Sequence, residues 1–142
     1  MNDFSIRLFR YPEDYDAAIA LWKAAGPGIN VRRSDEPEMI AHKLQRDPDL
    51  FLVAEAQGQI IGTVIGGYDG RRGMVYHLAV VASARQRGVG AALMDELESR
   101  LRQKGCIRCY LMVTAENENA MRFYEARGWE PMTVHTYGKN LD

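Results

Sequence analysis

Between residues 74 and 113 the chain changes its hydrophobic period twice, and that change limits the folds open to it. Met74-Val75-Tyr76-His77-Leu78-Ala79-Val80-Val81 is an apolar run of the kind found in a central strand. From Gly88 onward Val89, Leu93, Leu97 and Leu101 recur every four residues, while Asp95, Glu98, Arg100 and Arg102 take other faces. This pattern predicts a long amphipathic helix, closed by Lys104 and Gly105. Arg108–Val113 then reads as a strand again. A strand, a crossover helix and a second strand make a parallel pair, so an all-α or an all-antiparallel fold is excluded.

The flanking segments extend this unit. Ser5–Arg10 alternates as a first strand, and Pro12 opens a helix with Tyr15, Ile19 and Trp22 on one face, ended by Gly26-Pro27-Gly28. Ser34 or Asp35 is positioned to cap a second helix, with Pro37 in its first turn and Ile40 and Leu44 on its apolar face. Phe51–Ala56 and Ile60–Gly66 read as a hairpin across Gln57-Gly58-Gln59, followed by a turn at Tyr68–Gly73. Asn117 caps a last helix carrying Ala120, Phe123 and Tyr124, which stops at Gly128. Trp129–Met132 and Val134–Lys139 look like two final strands. Together these predict a mixed α/β sheet, mostly antiparallel, with six to seven strands and about four helices on its faces. No repeat or linker interrupts residues 1–142, so a single domain is expected.

Composition narrows function by exclusion. With 142 residues, 46% of them hydrophobic, and a net charge of -1, there is no basic excess to attract nucleic acid or an anionic membrane. No apolar run approaches a membrane span, and the first residues lack the pattern of a secretory signal, so a cytoplasmic protein is expected. Cys106 and Cys109 are spaced C-x-x-C, but they run into a strand rather than opening a helix. His42, His77 and His135 add no matching ligand spacing. Reduced thiols and no metal are expected. An exposed edge strand near the C-terminus could pair between chains and make a homodimer.

The junction Arg85-Gln86-Arg87-Gly88-Val89-Gly90 carries the most chemistry. A helix start leaves backbone N–H groups unpaired and bears partial positive charge, so it attracts phosphate. Glycine at 88 and 90 allows close backbone approach, and Arg85 and Arg87 add charge. The same glycines also suit a plain tight turn. The spacing matches neither a P-loop nor a dinucleotide-binding fingerprint.

Arg85-x-x-Gly88-x-Gly90, after Leu78-Ala79-Val80 and before a long helix, resembles the acyl-CoA motif of the GNAT superfamily of N-acetyltransferases. A second block, Asn117-x-x-Ala120-x-x-Phe123-Tyr124-Glu125-x-x-Gly128-Trp129, is similar to that family's downstream motif, and the pair is closest to the ribosomal-protein alanine acetyltransferase branch. The resemblance implies that backbone amides from Gln86 through Ala91, with Val89 and Gly90 between them, bind the CoA pyrophosphate. It also implies that main-chain groups of Leu78, Ala79 and Val80 hold the pantetheine arm, and that Asn117 contacts CoA. Tyr124 would then lie beside the sulfur.

Acetyl transfer to an amine needs a neutral amine, a polarised carbonyl and a protonated leaving thiolate. A phenol that stays protonated at neutral pH suits the last task, which points to Tyr124. An N–H near Val80 would stabilise the oxyanion. Where relatives carry a basic carboxylate this chain has Met74 and Met112, which leaves His77 as the candidate base, with Tyr76 and Glu116 behind it. The expectation is transfer from acetyl-CoA to a primary amine. The alternative is an acyl-CoA-binding module without catalysis.

Overall fold

A computed structural model describes residues 3–26 and 28–142, which form two compact units, Met1–Met112 and Val113–Asp142. Met1, Asn2 and Pro27 lie outside the described residues, so the expected stop at Gly26-Pro27-Gly28 is seen only through its glycines.

In the first unit the element order is β1 (Ser5–Leu8), α1 (Tyr15–Ala24), a 3-10 turn at Arg33–Asp35, and α2 (Pro37–Arg46). Then come β2 (Phe51–Ala56), β3 (Gln59–Tyr68), β4 (Gly73–Val80), a 3-10 turn at Ala82–Ala84, α3 (Val89–Gln103) and β5 (Cys109–Leu111). The sheet order is β1-β2-β3-β4-β5, antiparallel throughout except for the last pair, which is parallel as the crossover requires. β2 and β3 are joined through Gln57 and Gly58, both with positive φ, the backbone of a tight two-residue hairpin.

β2 is buried along Phe51–Ala54, because helices cover both faces of the sheet. On one face Trp22 and Leu21 of α1 join Phe9, Phe51, Val53, Ile65 and Ala79 in a core cluster, with the Phe9 and Phe51 rings stacked at 4.0 Å. On the other lies the four-residue stripe of α3, with Val89, Leu93, Leu97 and Leu101 all at most 2% exposed. That helix can approach closely because β3 presents glycines to it. A Cβ at Gly66 would lie 2.5 Å from Leu97, and one at Gly62 would lie 3.0 Å from Leu93 and Val89.

β4 is not a regular strand. Ile65 stands opposite Tyr76 and Thr63 opposite Ala79, so three steps on β4 answer two on β3. The extra residue is a bulge, and His77 within it has φ 50°, a left-handed conformation that a non-glycine residue seldom adopts.

Two expectations are corrected at the first helices. Pro12 lies in a turn, and α1 begins at Tyr15 with Asp14 before it. Neither Ser34 nor Asp35 caps α2. Both lie in the 3-10 turn, and the residue before α2 is Glu36, with no side-chain capping bond.

Asp14 is buried instead for a tertiary reason. Its carboxylate takes two bonds from the Arg7 guanidinium (2.8 and 3.1 Å) and one from the Arg10 N–H (2.7 Å). Burial pushes the Asp14 carboxyl upward, but Arg7 and the Arg10 amide outweigh it and hold it below the usual range. Asp14→Ala is therefore expected to cost about 2–4 kcal/mol at neutral pH in urea unfolding, as for a broken, mostly buried pair. A depressed folded-state pKa means this stabilisation is present above the ordinary aspartate value. It fades as pH falls through the lower folded value, so the gap between wild type and variant should close in acid.

The second unit holds α4 (Glu118–Ala126), which ends at Gly128 with φ 91° and the Trp129 N–H on the Tyr124 carbonyl (3.0 Å). The two expected final strands are not formed. Residues 129–142 have no strand assignment, and Val134 and Tyr137 are exposed, with no partner ladder to cover them among the described residues. Among the described residues the sheet thus has five strands, fewer than expected, and the C-terminal edge strand proposed for a homodimer is absent.

Candidate active site

The turn into α3 has the geometry of an anion cradle. Gln86 and Gly88 both have positive φ, 64° and 82°, and Gly88 stands immediately before the helix. Left-handed residues alternating with right-handed ones turn successive N–H groups toward one concavity. The first helical bond runs from the Ala92 N–H to the Gly88 carbonyl (3.0 Å), so the amides of Val89, Gly90 and Ala91 precede it. Among the described residues no side chain caps this end. A Cβ at Gly88 would meet no atom within 4 Å, so the space in front of the turn is open.

The arginines are placed differently from one another. Arg85 donates from Nε to the Val80 carbonyl (3.3 Å), whereas Arg87 forms an ion pair with Asp3. Of the two, Arg87 is thus already neutralised by the protein itself.

β4 leads into this turn with an unpaired edge. It meets β5 only at Gly73, Met74 and Val75, so the expected strand over Arg108–Val113 shrinks to Cys109–Leu111. Beyond Val75 the β5 side of β4 has no strand against it among the described residues. The Val81 N–H is spent on the Ile61 carbonyl (2.9 Å). By strand alternation the main-chain groups of Val80 then face the free edge, as those of Leu78 do, while Ala79 is turned toward β3 and buried. An open cleft of ≈ 570 Å³ beside α1 reaches the same end of β4, bordered by Val80, Val81, Ala82 and Arg85. Unpaired amides, open space at Gly88 and a free strand edge suit an extended ligand with a diphosphate at one end.

His77 sits where β4 bulges, held from every side. Its Nε2 lies 3.0 Å from each carboxylate oxygen of Asp35, which is itself 4% exposed. Its ring lies 4.6 Å from that of Trp22. Its carbonyl accepts from the Thr63 hydroxyl (3.0 Å), which in turn accepts from the Trp22 indole N–H (2.8 Å). Asp35 is fixed as well, since Oδ2 accepts the Arg32 N–H (3.1 Å) and its own carbonyl accepts the Tyr15 hydroxyl (2.7 Å). A strained backbone persists only where its surroundings over-determine it, and such residues cluster at functional sites.

Sequence reasoning picked out His77 but not its partner. Asp35 lies 42 residues away and had only a capping role to suggest it, and nothing local pairs Trp22 with Thr63.

In the second unit Asn117 caps α4, accepting the Ala120 N–H (3.2 Å) as expected. Tyr124 packs edge-on against Phe123 (5.2 Å) and Trp129 (5.9 Å), and burial pushes its phenol up to about 12. The cysteines remain free thiols. Burial first, then the neighbouring Cys106, raises Cys109 to about 11, which keeps it an unreactive thiol.

Comparison with known proteins identifies the family. The acetyltransferase (GNAT) family matches residues 13–129. An acetyltransferase of Pectobacterium atrosepticum is 44% identical over 137 residues, covering 96% of this chain and 94% of its own length. One of Sodalis glossinidius is 41% identical over 138 residues, with the same two coverages. Among solved structures, Ard1 of Thermoplasma volcanium aligns with a TM-score of 0.81 at 25% identity, over 93% of this chain and 86% of its own. The PaiA N-acetyltransferase of Thermoplasma acidophilum, solved with coenzyme A, shares the fold with a TM-score of 0.81 at 22% identity, over 95% and 94% of the two chains.

The chain belongs to the GNAT family of acetyltransferases. Its activity is acetyl-CoA-dependent N-acetyl transfer.

Proposed function

We propose that the chain acts as one catalytic domain over its whole length, transferring acetyl from acetyl-CoA directly to a primary amine, with His77 as base and Tyr124 as acid. The observation that carries this reading is a histidine held in strained backbone at the β4 bulge by a buried carboxylate, beside a free strand edge. In this scheme the amides of residues 86–91 bind the diphosphate and the open edge at Leu78 and Val80, on either side of the inward-turned Ala79, lines the acyl arm, with Arg85 nearby. Asn117 adds a CoA contact in the second unit.

His77 takes one proton from the acceptor ammonium, which frees the nitrogen lone pair. As N–C bonding begins, an N–H on the β4 edge donates to the carbonyl oxygen where charge develops. The C–S bond breaks, and Tyr124 donates its proton to the sulfur. The second nitrogen proton, lost as the amide forms, restores the Tyr124 phenol through solvent, and His77 releases the first to solvent, so one proton leaves per turnover. A phenol pushed up to about 12 stays protonated at neutral pH, as this role requires.

Release of free thiol from acetyl-CoA across a panel of amines and peptides tests the reading. Silence on every acceptor, with CoA still bound, would favour the non-catalytic module that Met74 and Met112 suggest. Tyr124→Phe separates the two. It is expected to cut kcat by about 10–100-fold while the Kd for CoA, measured by calorimetry, stays within about 2-fold.

A further inference from the structure

We propose that Asp35 is a positioning residue that locks His77 in the Nε2–H tautomer and so leaves Nδ1 as the basic lone pair. The catalytic half of this inference rests on the assignment of His77 as base, whereas the tautomer itself does not.

With Asp35 ionised and the ring neutral, the geometry admits one arrangement of protons. An ionised carboxylate only accepts, and Nε2 lies 3.0 Å from both of its oxygens, so the ring nitrogen must be the donor. In a neutral imidazole the other nitrogen then carries the lone pair. Nδ1 has no hydrogen-bond partner among the described residues. Two further contacts prevent the carboxylate from turning away. The Arg32 N–H holds Oδ2, and the Tyr15 hydroxyl holds the Asp35 backbone from α1. On the ring side, Trp22 and the Thr63 bond to the His77 carbonyl fix where the imidazole stands. Asp35 and Tyr15 are the titratable groups that these contacts bring to this cluster. The side chains of Asp35 and His77 are 6% and 20% exposed, so water competes little for Nε2 while the ring keeps some access.

Asp35→Asn tests the lock, because it preserves shape and reverses one end of the interaction. The Arg32 N–H holds the new amide's oxygen at the Oδ2 position and leaves its NH₂ at the Oδ1 position, so Nε2, 3.0 Å from both, faces a donor where it had only acceptors. That donor removes the bias toward Nε2–H, so rings protonated on Nδ1, the nitrogen that would take the substrate proton, become populated.

Nitrogen NMR of ¹⁵N-histidine protein reads the tautomer without any substrate. The expected result is a neutral ring carrying its proton on Nε2 in wild type and a raised fraction of Nδ1–H in Asp35→Asn. An Nδ1–H ring in wild type, or an unchanged ring in the variant, would overturn the lock. Because the wild-type measurement stands alone, a variant that failed to fold would not shield the proposal.

For catalysis, Asp35→Asn should lower kcat by about 10²–10⁴-fold with KM changed by less than about 3-fold. The double variant Asp35→Asn/His77→Asn should be no slower than His77→Asn alone. Multiplying losses would mean that Asp35 acts without His77 and would overturn the positioning role. If His77→Asn alone left turnover intact, the base assignment would fall, and the ring proton would still decide the lock.

Discussion

Replacing Gly88 with valine is expected to raise the Kd for CoA by at least about 100-fold in calorimetry while the protein stays folded. The two effects have separate origins. Gly88 holds φ 82°, so any L side chain there strains the folded backbone, at roughly 1–2 kcal/mol and more for a β-branched one. Nothing inside the protein lies within 4 Å of the new Cβ, so there is no packing clash to add. The added bulk instead projects into the open space ahead of α3, where a diphosphate would approach the amides of Val89, Gly90 and Ala91. Gly88→Ala supplies the control, since it brings similar backbone strain with less obstruction and should lose less affinity. If valine melts lower yet binds CoA as tightly as wild type, the turn is only a turn and the binding site lies elsewhere.

His77→Asn is expected to lower kcat by about 10²–10⁴-fold, the usual range for removing a positioned proton acceptor. Asparagine is the informative choice because it tolerates left-handed backbone, so the bulge and the Thr63 bond to the carbonyl of residue 77 can survive. A larger side chain without that tolerance would mix lost chemistry with a rearranged strand. Binding of CoA should change little, since the amides before Ala92 are not involved. Steady-state kinetics with the best acceptor of the panel and calorimetry with CoA check the two parts. Full activity in this variant would leave deprotonation to water or to a substrate that arrives neutral.

What the sequence made legible was local. The stripe of Val89, Leu93, Leu97 and Leu101 is a one-dimensional pattern, and all four residues are buried as that pattern requires, the first three against the glycines of β3. The glycine turn was equally readable, because an unpaired helix start depends only on neighbours in the chain. The His77–Asp35 pair was not, since it joins a 3-10 turn to a bulge across 42 residues and Asp35 carries the signature of a helix cap. The bulge itself hid inside an apolar run with no alternation to break. Val134–Lys139 failed in the opposite way. Its β-branched and aromatic residues favour a strand, but a strand needs a partner as well as a propensity, and here Val134 and Tyr137 stay exposed.

The extra residue in β4 has a practical corollary for anyone splicing this chain with a relative. Before it, even-numbered Tyr76 stands across from Ile65, and after it odd-numbered Ala79 stands across from Thr63, so the strand switches frame midway. A chimera joined by matching only the two ends of β4, against a donor one residue shorter, would turn the later half inside out. Ala79 would leave the interior and Val80 would lose the unpaired margin, even though every junction looked correct on paper.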